Sequence, residues 1–128
     1  MSRIFLILAA LAALLAVAVG AFGAHALKGQ LDEAAMTAYR TAVDYHMWHA
    51  LGLGLIGLLQ DRHPTAARLT QAGWLMFAGI LLFSGSLYAM CLSGQRWLGM
   101  ITPLGGLSFM AAWGLLALAL LRIRPTPA

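Results

Sequence analysis

The amino-terminal part of the chain contains one long apolar run, Ile4 to Ala24, without a single Asp, Glu, Lys or Arg. About 20 apolar residues are enough to cross the hydrocarbon core of a bilayer as an α-helix. The rest of the chain has the same character, since 62% of its residues are hydrophobic and only 9% are charged, whereas soluble domains carry roughly 25% charged residues. The sequence therefore predicts an all-α membrane protein.

This first run has one alternative interpretation, as a secretory signal peptide. Arg3 would supply the charged beginning, and Ala24, His25 and Ala26 have the A-x-A form of a cleavage site. The run is longer, however, than the apolar part of about 7–15 residues that is usual in such peptides. We therefore favour a first membrane helix.

Four apolar runs predict four transmembrane helices in a single membrane domain that covers residues 1–128. The loops between them are short, which favours an antiparallel bundle. The predicted spans lie at about 4–24, 44–60, 69–91 and 102–121.

The second helix is expected to be long, with a polar start. Asp32 suits its N-cap and Glu33 suits its first turn. A helix from Asp32 to Leu59 would be about 42 Å long, more than the hydrocarbon core of about 30 Å. Its polar start must therefore project into the headgroups or bend along them. For the fourth helix, Thr102 is the expected cap and Pro103 suits the first turn.

Small side chains recur along the predicted helices. In the first helix they form a seam at alternating steps of four and three residues, which consists of Ala9, Ala13, Ala16, Gly20 and Gly23. Such seams let the backbones of two membrane helices approach closely. They predict tight packing, and they also suggest a homo-oligomer in which helices of two copies meet.

The basic residues indicate an orientation rather than a nucleic-acid partner. The net charge is +4, but the basic side chains are scattered singly instead of forming one patch. Three lie at the first and third loops, namely Lys28, Arg40 and Arg96, and five lie at the termini and second loop, namely Arg3, Arg62, Arg68, Arg122 and Arg124. The positive-inside rule then favours both termini in the cytoplasm. The lone Cys91 gives no disulfide or metal pair, and the sequence requires no cofactor.

With this orientation, the polar residues of four separate segments fall on the outer side of the membrane. They are His25, Asp44, Tyr45, His46, His49, Ser84, Tyr88 and Thr102. Polar groups at membrane depth are costly unless they are paired or hydrated, so this cluster is the candidate ligand-binding site. Helical spacing places Ser84 and Tyr88 on one face of the third helix and Ser86 nearly opposite.

Three of these residues are candidate metal ligands. On the second helix, His46 and His49 share part of a face with Tyr45, and two imidazoles at that spacing suit one metal ion. His25 would supply a third nitrogen. The alternatives are a cluster that responds to protons or a ligand, and histidines that only form hydrogen bonds between helices.

Four motifs give the chain a resemblance to a known family. They are GAFGAHA at 20–26, YHMWHA at 45–50, FSGSLY at 83–88 and TPLGG at 102–106. In this order they resemble domain-of-unknown-function family 423, the YgdD-like small inner-membrane proteins of bacteria. The resemblance implies four membrane helices and a bacterial inner (plasma) membrane location, and it implies no activity.

Three functional hypotheses follow. The leading one is a non-enzymatic membrane protein that binds a small ligand, an ion or a lipid headgroup at the outer-side cluster, with membrane lipids as partners. The second is a structural or assembly subunit that uses its small-residue seams. The third is an intramembrane metalloprotein or enzyme that uses His46 and His49.

Overall fold

The computed structural model describes residues 1–123, and within this range it contains helices and no strand. The helices are α1 (Ser2–His25), α2 (Glu33–Arg62), α3 (Ala67–Gly79), α4 (Gly85–Ser93) and α5 (Thr102–Leu120). A π-helical turn, Ile80–Ser84, joins α3 to α4, and a 3-10 turn, Arg96–Met100, precedes α5. The all-α prediction is confirmed. Arg124, which contributes to the charge bias, lies outside the described residues.

Three helical stretches within residues 1–123 are long and apolar enough to cross a membrane. They are Ser2–His25, Ala67–Ser93 and Arg96–Leu120. Helix α2 is a fourth long helix, continuous from Glu33 to Arg62 and about 45 Å long at 1.5 Å per residue. Charged residues and histidines in its first half lower its hydropathy, so it is not among the three apolar stretches.

Two predicted helix starts have different outcomes. The Asp32 carboxylate accepts a hydrogen bond from the Ala35 backbone N–H at 2.7 Å, so Asp32 is the N-cap of α2 as predicted. The prediction for Thr102 is wrong, because Ile101 is the N-cap of α5 and no side chain caps it. The Thr102 hydroxyl bonds Ser86 instead, and Pro103 lies in the first turn as expected.

Helix α2 packs against α1 and also against the Ala67–Ser93 stretch, and α5 packs against α3. The contacts between α1 and α2 use small residues and run antiparallel. A Cβ atom added at Gly20 would lie 3.2 Å from Val43, and one added at Gly54 would lie 3.6 Å from Ala9. Small residues of α1 and α2 therefore lie in close contact with the opposite helix.

A close backbone approach joins α5 to the π-helical turn. A Cβ atom added at Gly105 would lie 2.7 Å from the Cα atom of Phe83 and closer still to its backbone nitrogen. A backbone cannot give way as a flexible side chain can. Glycine is therefore required at this crossing.

We predict that Gly105→Ala destabilises the protein by about 1–3 kcal/mol, the usual cost of overpacking. The control is Gly114→Ala on the same helix, where an added Cβ meets nothing within 4 Å. That change should be neutral or stabilising by up to about 1 kcal/mol, the helix propensity difference. Denaturant unfolding in mild detergent, followed by circular dichroism, measures both. Equal stability of the two variants would contradict the packing described here.

Candidate functional site

A groove lies between α1 and the Ala67–Ser93 stretch, and we call it the His46 groove. Its cavity volume is about 310 Å³, at the lower end of the range for small-molecule sites, about 300–1,000 Å³. It is lined by Leu8, Leu11, Ala12, Leu15, His46, Phe77, Ile80, Leu81, Gly85 and Tyr88. The walls are apolar, and the polar side chains among these residues are His46 from α2 and Tyr88 from α4.

His46 and Tyr88 form a hydrogen-bonded pair between α2 and α4. Nδ1 of His46 lies 3.1 Å from the Tyr88 hydroxyl oxygen, and only 3% of the His46 surface is exposed. Within residues 1–123 no hydrogen bond reaches Nε2 of His46, yet no fully buried side-chain nitrogen or oxygen there lacks a partner. Nε2 is therefore accessible, and we place it at the surface of the groove that His46 lines.

The π-helical turn shapes the wall of the groove next to this pair. The Ser84 hydroxyl, completely buried, donates a hydrogen bond to the Ala42 carbonyl of α2 at 2.8 Å, which ties the turn to α2. At the next residue, an added Cβ on Gly85 would meet nothing within 4 Å. The missing side chain of Gly85 thus leaves part of the groove open. Short π-helical segments frequently occur at functional sites.

The Ser86 side chain lies on the opposite side of α4. Its hydroxyl donates to the Phe83 carbonyl at 2.9 Å and lies 2.7 Å from the Thr102 hydroxyl of α5. The Ser86 hydroxyl has one proton and donates it to the Phe83 carbonyl. The Thr102 hydroxyl is therefore the donor in its contact with Ser86. Ser84 and Tyr88 therefore face α2 while Ser86 faces α5, which confirms the faces predicted from helical spacing.

His49 and Tyr45 belong to an aromatic cluster rather than to the groove. Nδ1 of His49 lies 2.7 Å from the Tyr45 backbone carbonyl, so this nitrogen carries the proton and donates it. The His49 ring stacks on Phe109 with centroids 3.4 Å apart. The Tyr45 ring stacks on Phe83 at 4.5 Å. These contacts join α2 to the π-helical turn and to α5.

The predicted metal-ligand set of His25, His46 and His49 is not brought together. His46 bonds Tyr88 of α4, while His49 stacks on Phe109 of α5. His25 is exposed at the end of α1. No group of three or more His, Cys, Asp or Glu side chains in residues 1–123 is placed to hold a metal ion. Suitable spacing of two histidines along one helix is not enough to form a metal site, because the His46 and His49 rings contact two different neighbouring helices.

Asp44 also lies away from the His46 groove. It is exposed and lines a separate cavity of about 270 Å³ between α1 and α2, together with Lys28 and Arg40. The structure thus divides the predicted cluster into the His46–Tyr88 groove, the Ser86–Thr102 contact, the aromatic cluster and this charged surface.

Sequence reasoning missed the apolar wall of the groove. Leu8, Leu11, Leu15 and Leu81 come from two predicted spans, where one leucine is indistinguishable from the next. Only Gly85 carried a signal, because it lies in the FSGSLY motif between the two serines.

We predict that the Ser86–Thr102 contact contributes about 0.6 kcal/mol of coupling energy, the average for hydrogen bonds between membrane helices. A double-mutant cycle of Ser86→Ala and Thr102→Val measures it by denaturant unfolding in detergent. The control cycle pairs Ser86→Ala with Thr37→Val, because Thr37 is exposed on α2 and bonds only its own helix. Coupling should be near zero in the control, and a value near zero in both cycles would contradict the contact.

Comparison with known proteins gives one family. Residues 19–106 match the family described as "Protein of unknown function (DUF423)". The chain is 49% identical over 117 residues to the UPF0382 membrane protein YwdK of Bacillus subtilis, covering 91% of this chain and 95% of that protein. It is 45% identical to a UPF0382 membrane protein of Staphylococcus haemolyticus, again over 117 residues, which are 91% of this chain and 94% of that protein. No solved structure matches significantly. The chain therefore belongs to the DUF423 family, whose named relatives are membrane proteins.

Proposed function

We propose that this protein is a non-enzymatic, multi-pass protein of the bacterial inner membrane that binds a lipid-soluble small molecule in the His46 groove. The observation that carries this proposal is the buried His46, which lines an otherwise apolar groove and whose Nε2 has no hydrogen-bond partner within residues 1–123. In this proposal the four long helices form an antiparallel bundle in one membrane domain. The charge bias of five to three supports cytoplasmic termini and an outer-side position for His46.

Burying the His46–Tyr88 pair at this position costs free energy, which binding of a ligand would offset. Imidazole and phenol groups lose favourable hydration when they are buried, and an unused hydrogen-bonding nitrogen recovers none of it. A leucine and a phenylalanine would fill the same space without that cost. A nitrogen without a hydrogen-bond partner at an apolar surface is typical of ligand pockets, where a few polar groups fix the orientation of an apolar molecule.

The rim of the groove favours entry from the bilayer. Leu11, Leu15 and Leu81 all line the groove, and each has more than half of its surface exposed. In a membrane these side chains contact lipid chains. A ligand dissolved in the bilayer can therefore enter sideways, between α1 and the Ala67–Ser93 stretch, without crossing the headgroups.

The remaining residues of the predicted cluster have supporting roles in this proposal. Ser84 anchors the π-helical turn to α2, and Thr102 fixes the start of α5 against α4. Tyr45 and His49 hold α2 against α5 through the aromatic cluster. These contacts keep the walls of the groove at a fixed distance.

We predict that Gly85→Leu fills the groove and abolishes ligand binding without loss of fold, because Cβ has open space there. The probe is a diazirine-bearing alkylbenzene in phospholipid vesicles that contain the full chain. In the wild type, labelling at Leu81 should saturate as the probe concentration rises, and excess decylbenzene should reduce it. Labelling of lipid-facing residues elsewhere should rise without saturation and should not be reduced by decylbenzene.

The matched control is Gly114→Leu, which also adds a side chain into open space but lies on α5 away from the groove. It should leave saturable labelling unchanged. Labelling in the wild type that rises linearly with probe, without saturation at any groove residue, would refute ligand binding in the groove.

A further inference from the structure

We infer that the ligand of the His46 groove is a neutral carbonyl compound with an apolar tail, of the lipid-soluble quinone class. The inference rests on the proposed function and adds the chemistry of the ligand's polar end. Three features of the groove lead to it: the hydrogen-bonding capacity of the His46–Tyr88 pair, the depth of that pair, and the absence of charge among the residues lining the groove.

The first feature is the donor that the pair presents. A neutral histidine and a tyrosine together carry two exchangeable protons, and one of them forms the bond between Nδ1 and the Tyr88 hydroxyl. If Tyr88 donates to Nδ1, the remaining proton is on Nε2. If Nδ1 donates to Tyr88, the remaining proton is on the Tyr88 oxygen. In both tautomers one donor is left, and a carbonyl oxygen is its simplest partner.

The second feature is the depth of the pair. In the antiparallel α1–α2 contact, Gly20 lies opposite Val43 and Gly54 lies opposite Ala9. This register places His46 level with Val17. Because α1 runs from Ser2 to His25, that level is about 5 Å from the middle of the helix at 1.5 Å per residue.

This depth separates two sources of a carbonyl group. The ester carbonyls of phospholipids lie at the edge of the hydrocarbon core, about 15 Å from its centre if the core is about 30 Å thick. They cannot reach a donor near the middle of α1. A quinone head dissolves within the hydrocarbon region and brings its carbonyl to that level.

The third feature excludes a charged ligand head. Within residues 1–123, no Asp, Glu, Lys or Arg lines the groove, so a carboxylate or phosphate would be buried there without a counter-charge, which is costly at membrane depth. The cavity of about 310 Å³ holds about ten water-sized groups at ~30 Å³ each, enough for one quinone ring. Phe77 and Tyr88 line it and offer aromatic surface for that ring.

The test uses the vesicle labelling assay with two matched competitors, 2-decyl-1,4-benzoquinone and decylbenzene, which differ in their carbonyl groups. We expect the quinone to compete about tenfold more effectively, the gain from one hydrogen bond in an apolar site. The double variant His46→Phe/Tyr88→Phe removes both exchangeable protons of the pair and should bring the ratio close to one. His25→Phe is the control, since His25 is exposed at the end of α1 and does not line the groove, and it should keep the tenfold ratio.

The outcomes separate this inference from the proposed function. Equal competition by quinone and hydrocarbon in the wild type, with labelling still blocked by Gly85→Leu, would overturn the carbonyl inference and keep ligand binding. Saturable labelling that neither compound competes would also overturn the carbonyl inference. An unchanged tenfold ratio in the folded double variant overturns the inference. If circular dichroism shows that the double variant does not fold, the comparison of the two competitors on the wild type decides alone.

Discussion

The close approach of backbones through small residues is the constraint on which the rest of this structure depends. In lipid there is little hydrophobic drive to bring helices together, so packing and hydrogen bonds between helices must do so. The glycine at position 105 lets α5 lie directly on the backbone of Phe83, and Gly20 and Gly54 let α1 lie on α2. Once these crossings are fixed, the positions of the polar side chains between the helices are fixed as well.

The polar residues then fall into two groups. Most form hydrogen bonds within the chain, such as that of the Ser84 hydroxyl to the Ala42 carbonyl and that of the Thr102 hydroxyl to Ser86. His46 differs, because Nδ1 is bonded to Tyr88 while Nε2 has no hydrogen-bond partner within residues 1–123, and the side chain lines a groove. A buried network that is complete stabilises the fold, whereas one that stops at an open nitrogen is suited to accept a further partner. This distinction carries the proposal of ligand binding.

Several features could be predicted because they depend on neighbours along one helix. Asp32 caps α2 through a backbone N–H three residues away, and the opposite faces of Ser84 and Ser86 follow from helical geometry. One error arose where another helix intervened, because Thr102 was expected to cap its own helix but bonds Ser86. For His46 and His49 the sequence left several roles open, and the two rings contact Tyr88 and Phe109 on different helices.

The sequence by itself determined that this is an all-α membrane protein, because long uncharged apolar runs have few other solutions, and its motifs indicated the family. It also marked the residues whose polarity is out of place in a membrane. Only the tertiary structure decided which of these residues meet. The leucines that form the groove come from two helices distant in sequence, and a hydroxyl or imidazole can satisfy its hydrogen bonds with whichever neighbour the helix crossings bring within reach. Those crossings depend on side-chain volumes summed over whole interfaces, and local spacing along one helix does not contain that information.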